Sequence, residues 1–241
     1  MKKSLLLATS RGYCFGVKKA LELVEKTLSE SYKDPIIVFN EIVHNRIVVD
    51  QLKQRGVMFT SDLESIPKRS VVIISAHGVG PHIYKRLREK DCKIIDATCP
   101  LVKKVHDKVH YYSQRGYHIL YIGKASHEEA VGVMAENPTN ITLIESAADL
   151  EKIPLSRSQY IVLNQTTLNM YDVESLYEKI RATLPNIEMP KKNDLCYTTT
   201  ERQQAVKSIA QQCEAVIVIG SANSSNSRKL CEMAQAQGAK A

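Results

Sequence analysis

No stretch of the 241-residue sequence comes near the run of about 18–20 apolar residues that a membrane-spanning helix needs. The opening MKKSLLLATSRGYC has the basic start of a secretory signal, but its apolar run is too short for the central segment of one. Leu5–Ala8 is instead expected to form a buried first strand. Aromatic residues make up 6%, too few to interleave with the lysines as a nucleic-acid groove requires, so the net charge of +7 reads as a mildly basic surface that also suits a small anion. No Cys-x-x-Cys pair and no Gly-x-Gly-x-x-Gly occurs. The loop Ile122-Gly-Lys-Ala-Ser126 lacks the leading glycine of a phosphate-binding P-loop. The His-x-Glu of His127–Glu129 lacks the Pro-Cys-x-x-Cys partner of the zinc deaminases.

What is present is ordinary globular composition, 44% hydrophobic and 24% charged, in a chain long enough for one large domain or two to three small ones. Six cysteines, Cys14, Cys92, Cys99, Cys196, Cys213 and Cys231, are spread widely. That spread argues against a disulfide framework and for reduced thiols. Cys92, Cys213 and Cys231 read as small buried hydrophobes.

The other three share one setting. Cys14 precedes a helical stripe of Val17, Ala20, Leu21, Val24 and Leu28, and Cys99 precedes one of Val102, Val105, Val109 and Tyr112. Cys196 precedes a run with Thr198 and Glu201 as a capping box and Val206, Ile209 and Cys213 facing inward. After each comes an apolar strand ending in a polar loop, at His44, His127 and Ser224, 30, 28 and 28 residues beyond the cysteine. A second strand and loop follows in the first two copies, to His77 and Thr166, at offsets of 63 and 67.

Parallel βα units put their loops at one side of the sheet. Three such units in approximate threefold arrangement, over 1–97, 98–193 and 194–241, aim three cysteines at one centre. The fold class is α/β, with small, mostly parallel sheets. The third copy stops at Ala241 before its second strand, so it reads as incomplete.

A thiol at a helix N-terminus has its thiolate favoured by the helix dipole and by nearby lysines. Three could hold zinc with an open fourth position, or an iron–sulfur cluster with one iron free of cysteine. Unrelated core cysteines are the plain alternative. His44, His77, His127, Ser224, Ser225 and Asn226 suit phosphate oxygens, the last three at a helix start. Ser126 and Glu129 fit a capping box, which would explain the glutamate without chemistry; the competing role is a proton donor.

Eight segments in order, RGYCFGV, EIVHNRIVVDQL, SAHGV, DATCPLVKKVH, SHEEAVG, NQTTL, DLCYTTTERQQAV and GSANSSNS, resemble the family of 4-hydroxy-3-methylbut-2-enyl diphosphate reductases. The resemblance implies a three-lobed protein with a [4Fe–4S] cluster on Cys14, Cys99 and Cys196. It implies reductive loss of the hydroxyl of an allylic diphosphate, driven by electrons from a ferredoxin or flavodoxin, in a bacterial cytoplasm. By motif, Glu129 is the proton donor or relay, Thr166 and His127 lie beside the hydroxyl, and His44, His77, Ser224, Ser225 and Asn226 bind the diphosphate. Phe15 stands where many members carry a small residue, and is expected to alter packing beside the cluster. A non-catalytic diphosphate-binding or cluster-carrying module and a zinc hydrolase are the competing classes.

Overall fold

A computed structural model describes residues 4–157 and 159–241. Two parallel sheets form its frame. The first has the order β2-β1-β3-β4, from β1 (Ile36–Phe39), β2 (Met58–Thr60), β3 (Val71–Ile74) and β4 (Lys93–Asp96). The second has the order β6-β5-β7, from β5 (His118–Ile122), β6 (Ile141–Ile144) and β7 (Tyr160–Asn164). Strands β3, β5 and β7 are buried at every position. Continuous Val/Ile/Leu runs of this kind mark strands covered on both faces, as parallel sheets demand.

The covers are α1 (Phe15–Ser29), α2 (Arg46–Gln54) and α3 (Pro81–Glu89) for the first sheet. For the second they are α4 (Pro100–Ser113), α5 (Glu128–Met134) and α6 (Met170–Thr183). The expected stripe of α1 buries Ala20 and Val24, with Val17, Leu21 and Leu28 packed beside them. That of α4 buries Val102, Val105 and Val109. Pro100 opens α4, where its missing N–H costs nothing.

The strand orders determine where a ligand can sit. In the first sheet, connections from β1 and β3 run to opposite edges, and the adjacent carboxyl ends of β1 and β3 are the switch point. In the second, β5 and β7 stand in the same relation. Ligands bind outside such points. The loops there are Asn40–His44 and Ser75–His77 in the first sheet, and Gly123–His127 and Gln165–Thr167 in the second.

The third unit consists of α7 (Tyr197–Ala210) and α8 (Ser225–Ala236) around Val206, Leu230 and Met233. The strand expected in EAVIVIG is absent. Ala215 makes one isolated bridge with Lys240, and Ile217 and Ile219 are 83% and 95% exposed. The expected buried strand at Leu5–Ala8 is also absent, and Leu5, Leu6 and Leu7 are exposed. Both corrections have one cause. An extended segment is a strand only when a neighbour takes its N–H and C=O groups along its length; among the described residues EAVIVIG is paired only at the Lys240 bridge and Leu5–Ala8 lies in no strand.

Gln203 fastens α7 to the second sheet. Fully buried, it accepts from the Met170 N–H at 3.0 Å and donates to the Leu168 carbonyl at 2.8 Å. Gln203→Leu leaves both backbone groups unpaired and is predicted to cost about 1–3 kcal/mol in chemical denaturation. Unchanged stability would mean that this pair does not join the units.

Candidate functional site

The three cysteines occupy equivalent places, each the N-cap of its helix: Cys14 for α1, Cys99 for α4 and Cys196 for α7. None caps with its own side chain, and none of the three first turns carries an acidic residue. The thiols are thus free and face positive helix ends. Backbone bonds tie two of them to the strand-end loops. The Cys99 N–H donates to the Ala76 carbonyl at 3.0 Å, one residue from His77, and the Cys196 N–H donates to the Thr166 carbonyl at 2.9 Å.

Gly16 sets how closely α1 approaches α4. A Cβ on it would lie 2.6 Å from Cys99 Sγ and 4.0 Å from Cys14 Sγ. The Arg202 guanidinium of α7 donates to the Gly12 carbonyl, closing the third side. Burial, with Cys196 and Cys14 nearby, pushes the Cys99 thiol up despite the Leu101 and Val102 N–H groups. At Cys99, desolvation therefore outweighs the helix-dipole preference for a thiolate. Cys92, Cys213 and Cys231, expected to be buried, are only half-buried. Phe15 is 61% exposed and so does not press inward beside the cysteines.

Beside the cysteines lies a histidine group. The His44 and His77 rings stack at 4.0 Å and 18°, and His127 stands edge-on to them at 5.4 and 5.7 Å. His127 is the N-cap of α5, its Nδ1 accepting from the Glu129 N–H at 3.1 Å. That ring is therefore neutral, with its proton on Nε2. Burial and the neighbouring His77, His44 and Arg228 lower its pKa to about 3. His44 is lowered as well, by burial and by His77.

The expected capping box of Ser126 and Glu129 does not form, because His127 takes the cap position. Glu129, 1% exposed, turns inward instead. Its Oε1 accepts from the Thr166 N–H at 2.8 Å and its Oε2 from Thr166 Oγ1 at 2.9 Å. Burial raises its pKa, against the pull of the two Thr166 bonds and of His77 and His106. A carboxyl of this kind can hold a proton and give it up at Oε2. The Thr198–Glu201 box is absent too, since α7 begins one residue after Cys196.

Ser224 caps α8, accepting from the Ser227 N–H at 3.3 Å. Ser225 Oγ donates to the Thr167 carbonyl at 3.2 Å, which brings the start of α8 against the Thr166 loop. Asn223 Nδ2 donates to Glu41 Oε2 at 2.7 Å, three residues from His44. Asn226 follows in the first turn of α8. All eleven predicted residues thus fall on loops and helix starts. Sequence reasoning missed Glu41, Glu128 and Asn223. For Glu41 and Glu128 the available signal was a carboxylate near a histidine in the sequence; Asn223, beside Ser224, offered no such signal.

The donor set separates the candidate metal centres. Among the described residues, only His44, His77 and Glu128 bring three possible ligand atoms within 4.8 Å of one another. The three thiols are therefore spread wider than the roughly 3.8 Å between sulfurs that tetrahedral zinc imposes at about 2.3 Å per bond. Three free cysteines, set wide and with no carboxylate among them, fit a larger iron–sulfur centre.

These features define an α/β protein with three helix-capping cysteines and a histidine group at two sheet switch points. The chain belongs to the LytB protein family, whose model matches residues 5–241. The Mycobacterium leprae protein named 4-hydroxy-3-methylbut-2-enyl diphosphate reductase is 43% identical over 99% of this chain and 72% of its own length. The Cutibacterium acnes protein of the same name is 45% identical over 99% and 74%. The solved Plasmodium falciparum E-1-hydroxy-2-methyl-but-2-enyl-4-diphosphate reductase superposes with a TM-score of 0.92 at 38% identity, over 96% of this chain and 73% of that one. A second solved structure, titled as the terminal enzyme of the non-mevalonate pathway, gives 0.74 at 32% identity.

Two predictions follow from this geometry. Gly16→Ala is expected to displace Cys99 Sγ, and so to change thiol accessibility in a labelling assay, while circular dichroism stays at the parent's level. Glu129 also shapes the dependence of stability on pH. The folded chain keeps its proton where the unfolded chain has lost it, so stability falls as pH rises above about 4.3. Glu129→Gln removes that loss: its denaturation midpoint should exceed the parent's at pH 8, with the gap closing toward pH 4. A gap independent of pH would mean that Glu129 is not held protonated.

Proposed function

We propose that the protein removes the hydroxyl of (E)-4-hydroxy-3-methylbut-2-enyl diphosphate reductively, giving isopentenyl and dimethylallyl diphosphate. Per turnover, the allylic C–O bond breaks, two electrons and two protons are taken up, and water leaves. The observation that carries the reading is a buried Glu129 paired with Thr166, its pKa raised by burial, one backbone bond from Cys196. A non-catalytic binding module has no use for such a group.

In this reading Cys14, Cys99 and Cys196 hold a [4Fe–4S] cluster. When bound, the cluster supplies electrons one at a time and an iron without a protein ligand that acts as a Lewis acid. An external ferredoxin or flavodoxin delivers those electrons, and a bacterial cytoplasm is where the reaction runs. No helix among the described residues is long and apolar enough to cross a membrane.

The chain's own groups divide the remaining work. His44, His77, Ser224, Ser225 and Asn226 bind the diphosphate, the last three through hydroxyl and amide donors at the start of α8. Thr166 and His127 face the hydroxyl end. The Thr166 N–H pins Oε1 of Glu129 and leaves Oε2 with the threonine hydroxyl, so a proton leaving Oε2 passes through or beside Oγ1. Hydroxide is a poor leaving group, and protonation as the bond breaks lowers the barrier. With its proton on Nε2, His127 presents a neutral donor that does not compete for that proton.

The test is anaerobic turnover of the allylic diphosphate by cluster-loaded protein with a chemical reductant. Glu129→Gln keeps the hydrogen-bond shape and is predicted to lower kcat by about 10²–10⁴-fold with KM changed little. Equal loss in substrate affinity would make Glu129 a binding residue and overturn its role.

A further inference from the structure

Two ring nitrogens of the histidine group are committed to carboxylates. Glu41 Oε2 lies 3.2 Å from His44 Nδ1 while accepting from Asn223. Glu128 Oε2, from the first residue of α5 on the other sheet, lies 2.8 Å from His77 Nδ1. A carboxylate beside an anion pocket repels the anion, so its presence at His77 calls for a compensating role.

The ring stack shows what that role is. Packing His77 on His44 at 4.0 Å fixes the plane of the ring. It does not fix which edge faces the pocket, because a half-turn about the Cβ–Cγ bond keeps the plane and exchanges Nδ1 with Cδ2 and Nε2 with Cε1. Ser75 Oγ, at 3.5 Å from Nδ1, is too distant to select one orientation. Glu128 selects it, because only one orientation gives the carboxylate an N–H to accept.

We propose that Glu128 is a positioning residue for the diphosphate, locking His77 in the ring orientation whose Nε2 serves the anion. The inference rests on the reading of His77 as a diphosphate ligand. Nothing in it requires Glu128 to touch the substrate.

The experiment is calorimetric titration of inorganic pyrophosphate into cluster-loaded protein, with EDTA present to keep cations off His44, His77 and Glu128. Glu128→Ala is expected to weaken binding about tenfold, the scale seen for the outer partners of ligand histidines. Glu128→Gln, whose amide oxygen still accepts the Nδ1 proton, should recover most of that affinity. In a His77→Ala background, Glu128→Ala should add no further loss. In turnover, the Glu128→Ala effect should fall on KM rather than kcat. Binding by Glu128→Ala equal to or tighter than the parent's overturns the proposal, since tighter binding is the sign a merely repulsive carboxylate gives. So does a loss that persists undiminished without His77. Failure of the parent itself to bind pyrophosphate would remove the reading of the pocket and the inference with it, and it is seen before any variant is made.

Discussion

The close approach of α1 to α4, set by the missing side chain at Gly16, is the constraint on which the centre depends. Only a hydrogen fits between the α1 backbone and Cys99 Sγ, so two cysteines from distant parts of the chain share one space. The third arrives by a different route, through the bond from Cys196 to the Thr166 carbonyl. Because that carbonyl belongs to the residue that holds Glu129, the Cys196 loop and the buried carboxyl are tied together. A shift in either loop moves both.

The pocket is costly to build. It buries a carboxyl, sets two histidines face to face, and points three helix starts inward. Burying a carboxyl without a compensating charge favours its neutral form, which here is the useful one. Burial and crowding likewise disfavour the charged forms of His44 and His127, and His127 is taken furthest. An incoming diphosphate meets the donors of the histidine group and of the start of α8, with Glu41 and Glu128 held on His44 and His77.

Much of this was legible in the sequence, for physical reasons. Both parallel sheets show as continuous apolar runs, and the three cysteines as repeated turns before amphipathic stripes. The strand-end residues His44, His77, His127 and Thr166 followed from those runs, because loops at carboxyl ends converge. What could not be read was competition between local and distant partners. Ser126 and Glu129 have the spacing of a cap, yet a buried Thr166 offers Glu129 two bonds against the one that a cap provides. EAVIVIG and Leu5–Ala8 have the composition of strands, but pairing decides a strand and composition does not. Glu128 passed unnoticed beside Glu129, since only the fold brings His77 to it across 51 positions.

The most direct test of the account is iron and acid-labile sulfide content of anaerobically purified protein, with each cysteine replaced in turn by serine. About four irons and four sulfides per chain are predicted for the parent. A marked loss is predicted at positions 14, 99 and 196, and none at 92, 213 and 231. Zinc in place of iron, or dependence on any of the latter three cysteines, would contradict it.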